Sequence, residues 1–159
     1  MFDATTIDAT VAASLEYFNA GYNCAEAVLL AVSRAAGYDS PLIPRIASGL
    51  GGGIGRQGEV CGTLSGGALI VGLLHGRDRA DEVEKKEAVT AKAAELVRRF
   101  AYLNGAICCR DILGVELNTE AGSREFHDRN LKSTTCSVAM IHAVRTLMEL
   151  LNEWEVERG

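Results

Sequence analysis

The chain has 159 residues, 48% apolar and 23% charged, with 21 acidic against 16 basic side chains and a net charge of −5. This composition fits one globular domain spanning residues 1–159 rather than a disordered chain. No segment gathers Lys and Arg into the stripe that nucleic acid requires, so nucleic acid is excluded as a partner.

Apolar spacing points to helices nearly throughout. Val11, Leu15 and Phe18 share one face of a first helix that Gly21 stops. "NCAE" opens a second: Asn23 caps, Glu26 three residues later reaches back, and Val28, Val32 and Ala35 follow before Gly37. "PLIPRIASGL" reads as a short third helix leading into a glycine loop. From Val60 to Leu74 the pattern is apolar on all sides, which predicts a buried central helix. Its longest apolar run, Ala68 to Leu74, falls far short of the roughly 20 residues that cross a membrane, so no membrane insertion is expected. Between Asp78 and Leu103, "DEVEKKE" makes a solvated face, Val89, Ala93, Leu96, Val97 and Phe100 make the buried stripe, and Asn104-Gly105 terminates the helix. "ICCRDILG" has room for about two turns, and "NTEAGSREFHDRN" reads as a loop or short surface helix. Cys136, Met140, Ala143, Leu147, Leu150 and Trp154 form the stripe of a final helix capped at Ser133, Thr134 or Thr135. No stretch alternates with period two. The expected fold is all-α, a compact bundle of five main helices around a buried, glycine-rich central helix.

The N-terminal "MFDATTIDAT" has neither the basic nor the apolar region of a signal peptide, so a cytoplasmic protein is expected. Its five cysteines are then poorly explained as a secreted disulfide framework. On the helix map Cys24, Cys61, Cys109 and Cys136 each fall in a predicted first turn. A helix N-terminus carries partial positive charge and unpaired N–H donors, which favour thiolate over thiol. Thiolates are what metal ions, cluster irons and disulfide exchange all require. Each cysteine taken singly also reads as a small apolar core filler, Cys136 above all, because it fits its helix stripe. The recurrence of one placement favours function. Cys109 shares a face with Ile112 and Leu113 and is expected to point inward, leaving Cys108 as a spare or resolving thiol. No CxxC occurs, so any site must be assembled by the fold.

"GIGRQG" matches GxGxxG through Gly53, Gly55 and Gly58, but no strand precedes it, and Asp81 and Glu82 begin a helix instead of ending a strand. A packing role explains the glycines better. Gly62 and Gly66 lie four apart, with Gly67 and Gly72 nearby, so a neighbouring backbone has room to approach. The loop's N–H groups and the Arg56 guanidinium then form an electropositive wall beside Cys61.

"GYNCAEAVLLAV", "GLGGGIGRQGEVCGTLSGGALIVGLLHG", "CRDILG" and "CSVAMIHAV" together resemble the C_GCAxxG_C_C family of redox-active proteins, over about Gly21 to Val144. The resemblance assigns Cys24, Cys61, Cys109 and Cys136 to the four family cysteines and Gly62 and Gly66 to the motif glycines. Cys108 has no counterpart. Thr63 stands where the motif usually has alanine, and its hydroxyl is placed to hydrogen-bond a sulfur or its own backbone. The family implies redox chemistry, an assembled Fe–S cluster and a setting near transporters, hence association with a transporter system, but no substrate and no named redox partner.

Three functions follow. In the first, two of the four cysteines form a reversible disulfide. In the second, all four hold a [2Fe–2S] cluster or zinc. In the third, the cysteines are structural, and the domain is a non-catalytic interaction protein or homodimer that uses an exposed stripe ending at Trp154. His75, His127 and His142 are isolated and read as surface or satisfied residues, and His142 points to a different face from Cys136.

Overall fold

A computed structural model describes residues 1–158; the chain is mostly helical, with no strand among the described residues. The helices are α1 (Ala4–Asn19), α2 (Cys24–Ala35), α3 (Gly62–His75), α4 (Val83–Asn104), α5 (Cys109–Leu113), α6 (Glu120–Asp128) and α7 (Ser137–Arg158). A 3₁₀ turn, Arg45–Leu50, occupies the predicted short third helix, and a π-helical turn, Lys132–Cys136, runs directly into α7.

The local signals act as their chemistry requires. Asn23 Oδ1 accepts from the N–H groups of Ala25 and Glu26, while Asn23 N–H donates to Glu26 Oε2 at 2.8 Å, completing a capping box. α4 ends at Gly105, whose φ of 75° closes the last turn onto Ala101 O. Its start lies later than the sequence suggested: Glu82 turns back to accept from the N–H groups of Asp78 and Arg79, so the acidic stretch before Val83 forms a turn. Likewise α3 begins at Gly62 and not at Val60.

α2 packs against α1, α3 and α7, and α3 packs against α2, α4 and α7. The core runs through Val28, Leu29, Val32, Ile70, Val71, Leu96, Phe100, Met140 and Leu147, all fully buried. α2 is the more enclosed of the two inner helices. Ala27 to Ser33 are consecutively buried, whereas α3 leaves Gly72 and Leu73 exposed. Trp154 is buried beneath His75 and Lys92, so the surface expected to end there is not exposed. No helix among the described residues is long and apolar enough to cross a membrane.

Candidate functional site

A cavity of about 460 Å³ opens where the starts of α2, α3 and α5 meet the π turn before α7. Cys24, Cys61, Cys109 and Cys136 all line it. Each reaches it from a different element, and each element has a local reason to be there.

Cys24 is the first residue of α2, set by the Asn23 cap, and Asn23 Nδ2 donates to Ser48 O to tie the 3₁₀ turn to this end. Cys61 is the N-cap of α3 instead of a residue inside its first turn. Its N–H donates to Ile107 O, and the N–H groups of Cys109 and Arg110 donate to Glu59 O and Gly58 O. These bonds form an isolated antiparallel bridge between Val60 and Cys108. The bridge brings the Cys61 segment beside the Cys109 segment, and no periodicity in the sequence announces it. Cys109 is buried with Leu113, while Cys108 is half-buried and outside the cavity lining; Cys108 is the extended N-cap of α5 and not part of the helix, so the bridge and not a helix face separates the two.

Cys136 departs from expectation. None of Ser133, Thr134 and Thr135 is a cap, because Leu131 already has helical dihedrals and the chain continues through the π turn, where Ser137 N–H bonds Lys132 O. The extra residue in that turn sets where Cys136 points, and such turns recur at functional sites. A helix terminus therefore does not act on this thiol.

The glycine segment supplies the opposite wall. Gly52, Gly53, Ile54, Gly55 and Arg56 have consecutive φ values of 63°, 70°, 59°, 58° and 65°. A run of left-handed residues is costly for any residue with a Cβ, so Ile54 and Arg56 are held there by the surrounding bonds. Gly62 and Gly66 face α2: a Cβ on Gly66 would stand 2.7 Å from Ala25 O, and one on Gly62 would overlap Cys24 Sγ. Gly72 takes no part, for nothing lies within 4 Å of its missing Cβ.

Burial governs the thiols. It pushes Cys24 up to about 11, with the charge of Cys61 adding to the rise, against backbone N–H groups that include that of Gly52. Burial raises Cys109 to about 12, followed by the charges of Cys61 and Cys24, with Arg56 opposing. Cys136 is raised further, by burial and then by Cys24, Cys109 and Cys61, with Lys132 opposing. Cys24 and Cys109 start helices, which alone would lower them; removing a thiolate from water outweighs a partial charge of about one half.

Cys61 Sγ lies 3.2 Å from the buried Thr63 Oγ1. The Arg56 guanidinium donates to Leu117 O and Ser123 Oγ, joining the loop to the α6 region. Lys132 Nζ donates to Phe18 O at 2.9 Å and sits over the Phe18 ring. Sequence reasoning missed Lys132, because the cap expected at Ser133, Thr134 or Thr135 places it before the helix, whereas the π turn joins it to Cys136.

A family described as "Putative redox-active protein (C_GCAxxG_C_C)" matches residues 22–150. The chain belongs to the C_GCAxxG_C_C family. Cys24, Cys61, Cys109 and Cys136 of this C_GCAxxG_C_C protein all fall within the matched residues. A relative from Archaeoglobus fulgidus, described as "Uncharacterized protein", is 30% identical over 106 residues, which is 62% of this chain and 70% of the relative. No solved structure matches.

The cluster and zinc readings require thiols that close on a common point. Among the described residues, no group of three or more His, Cys, Asp or Glu side chains is arranged to hold a metal ion. The donor set as arranged does not fit a resident ion. None of the histidines lines the cavity: His75 stacks on Trp154, His127 packs against Phe126, and His142 Nδ1 faces Asn104 Oδ1 at 3.0 Å.

Proposed function

We propose that this C_GCAxxG_C_C protein is a thiol–disulfide redox protein whose site comprises Cys24, Cys61, Cys109 and Cys136. The observation that carries the reading is that these four cysteines, from separate elements and up to 112 positions apart in sequence, line one cavity while the fifth, Cys108, does not. Oxidation of two of the thiols forms one S–S bond and releases two protons and two electrons to an acceptor. Burial favours this cycle, because both the thiol pair and the disulfide are uncharged and neither leaves a charge in a largely apolar cavity. Attack on the acceptor still requires a transient thiolate. Gly52 N–H beside Cys24, Arg56 beside Cys109 and Lys132 beside Cys136 each favour the charged form.

The test is a count of alkylatable thiols in fully reduced and in oxidised protein, alongside far-ultraviolet circular dichroism. A difference of two with the helical signal retained is expected, and it should persist when Cys108, outside the cavity, is replaced by serine. Equal counts in the two states would overturn the reading. Iron or zinc in proportion to protein after anaerobic purification would replace it with the metal reading.

A further inference from the structure

We propose that the acceptor bound in this cavity is a small organic disulfide carrying acid groups, held by Arg56 and Lys132. The inference rests on the thiol reading above and adds the substrate class. Two observations carry it.

The first is access. Cys61 is 7% exposed and Cys109 is 5% exposed, both lining the cavity with the half-buried Cys24 and Cys136, so a bulky disulfide on the surface of another protein does not fit down to the buried pair. A small molecule does, and about 460 Å³ lies within the range of roughly 300–1,000 Å³ typical of small-molecule sites.

The second is charge. Acidic residues outnumber basic ones in this chain, yet no Asp or Glu lines the cavity, and its charged lining consists of Arg56 and Lys132. Neither forms an ion pair among the described residues, although most of the other cations do, including Arg79, Lys92, Arg99 and Arg145. Arg56 and Lys132 are fixed instead by neutral acceptors, Leu117 O, Ser123 Oγ and Phe18 O, which orient them and leave their charge uncompensated. With Cys24, Cys109 and Cys136 held protonated by burial, the charged lining is positive over an apolar floor that includes Leu117 and Phe126. An apolar body bearing acid groups is its complement.

The chemistry balances. One cysteine thiolate attacks a ligand sulfur, the ligand S–S bond breaks, and half of the ligand leaves as a thiol with one proton, giving a mixed disulfide. A second cysteine attacks the mixed disulfide, and the other half leaves as a thiol with the second proton. The protein is left with one disulfide, two electrons having passed to the ligand, and an external small dithiol returns it to the thiol form.

The probes are 5,5′-dithiobis(2-nitrobenzoate), which carries two carboxylates, and the neutral 4,4′-dithiodipyridine, each mixed rapidly with the reduced full-length protein. The measured quantity is the ratio of the anionic to the neutral rate, referred to the same ratio for the protein unfolded in denaturant. A ratio raised about tenfold in the folded state is expected, falling about tenfold in Lys132→Met and in Arg56→Gln, the effect of one charge-assisted hydrogen bond. Circular dichroism checks that the variants fold, and Lys132→Met decides should Arg56→Gln not fold. A ratio no higher in the folded protein, or one that neither substitution changes, overturns the substrate class while leaving the thiol reading intact. If neither disulfide oxidises two thiols per chain in the folded protein, the thiol reading falls, and this inference falls with it.

Discussion

Cys24 Sγ fills the space that a side chain on Gly62 would occupy, so α2 and α3 meet with sulfur against bare backbone at the residue following Cys61. Four residues on, Gly66 lies under the backbone of Ala25 in the same way. Gly62 and Gly66 thus set how closely the Cys24 and Cys61 segments approach.

Gly66→Ala should destabilise the protein by about 1–3 kcal/mol, because the added methyl meets backbone that cannot rotate away. Gly62→Ala should displace the Cys24 thiol as well and make it react faster with alkylating reagents. Gly72→Ala, in the same helix but open to solvent, should instead stabilise by about 0.5–1 kcal/mol. Urea denaturation of the three variants checks this, and equal effects at Gly66 and Gly72 would remove the close-approach argument.

Stability should fall as pH rises from about 9 towards 12. Cys24 and Cys109 have pKa values raised from an ordinary 9.0 to about 11 and about 12, so the unfolded chain loses these protons first. Their stabilising contribution is complete below pH 9 and is lost as pH climbs through the folded values. Thermal melts under reducing conditions should show a shallower decline in Cys24→Ala and Cys109→Ala than in the parent chain. Parallel declines in all three would mean that these thiols are not held protonated by the fold.

Ile54 is a β-branched residue at φ 59°, about half exposed, in the run of left-handed residues along the cavity wall. Ile54→Asn should stabilise by about 1 kcal/mol, since Asn tolerates this region and Ile does not. A loss of stability on this substitution would show that packing of the Ile54 side chain outweighs backbone strain.

Asn23→Ala removes the acceptor for two N–H groups and the bond to Ser48 O. A cost of about 1 kcal/mol or slightly more is expected from the lost cap. Hydrogen exchange should quicken at Ala25 and Glu26 and in the Arg45–Leu50 turn, and exchange confined to α2 would mean that the Ser48 link does not hold the turn.

Much of the helix map was legible because its signals are local. Asn23 with Glu26, Asn104 with Gly105, and the stripe ending in Leu147 and Leu150 all act within a few residues. The start of the last helix was misread because Ser133, Thr134 and Thr135 are good caps in isolation, whereas the chain is already helical from Leu131 and absorbs them in a π turn. How far α3 is enclosed was not legible, because an apolar periphery does not reveal which neighbours cover it.

By itself, the sequence determined the helical periodicity, the spacing of Gly62 and Gly66, and the family. These depend on the 3.6-residue repeat and on which residues tolerate a bare or capped backbone. Only the tertiary structure decided that Cys24, Cys61, Cys109 and Cys136 share a cavity, that Arg56 and Lys132 supply its charge, and that burial raises Cys24 and Cys109, where helix termini alone would lower them, and Cys136, which no helix terminus reaches. Desolvation is a property of everything packed around an atom, and the bridge between Val60 and Cys108 joins segments with no shared local signal.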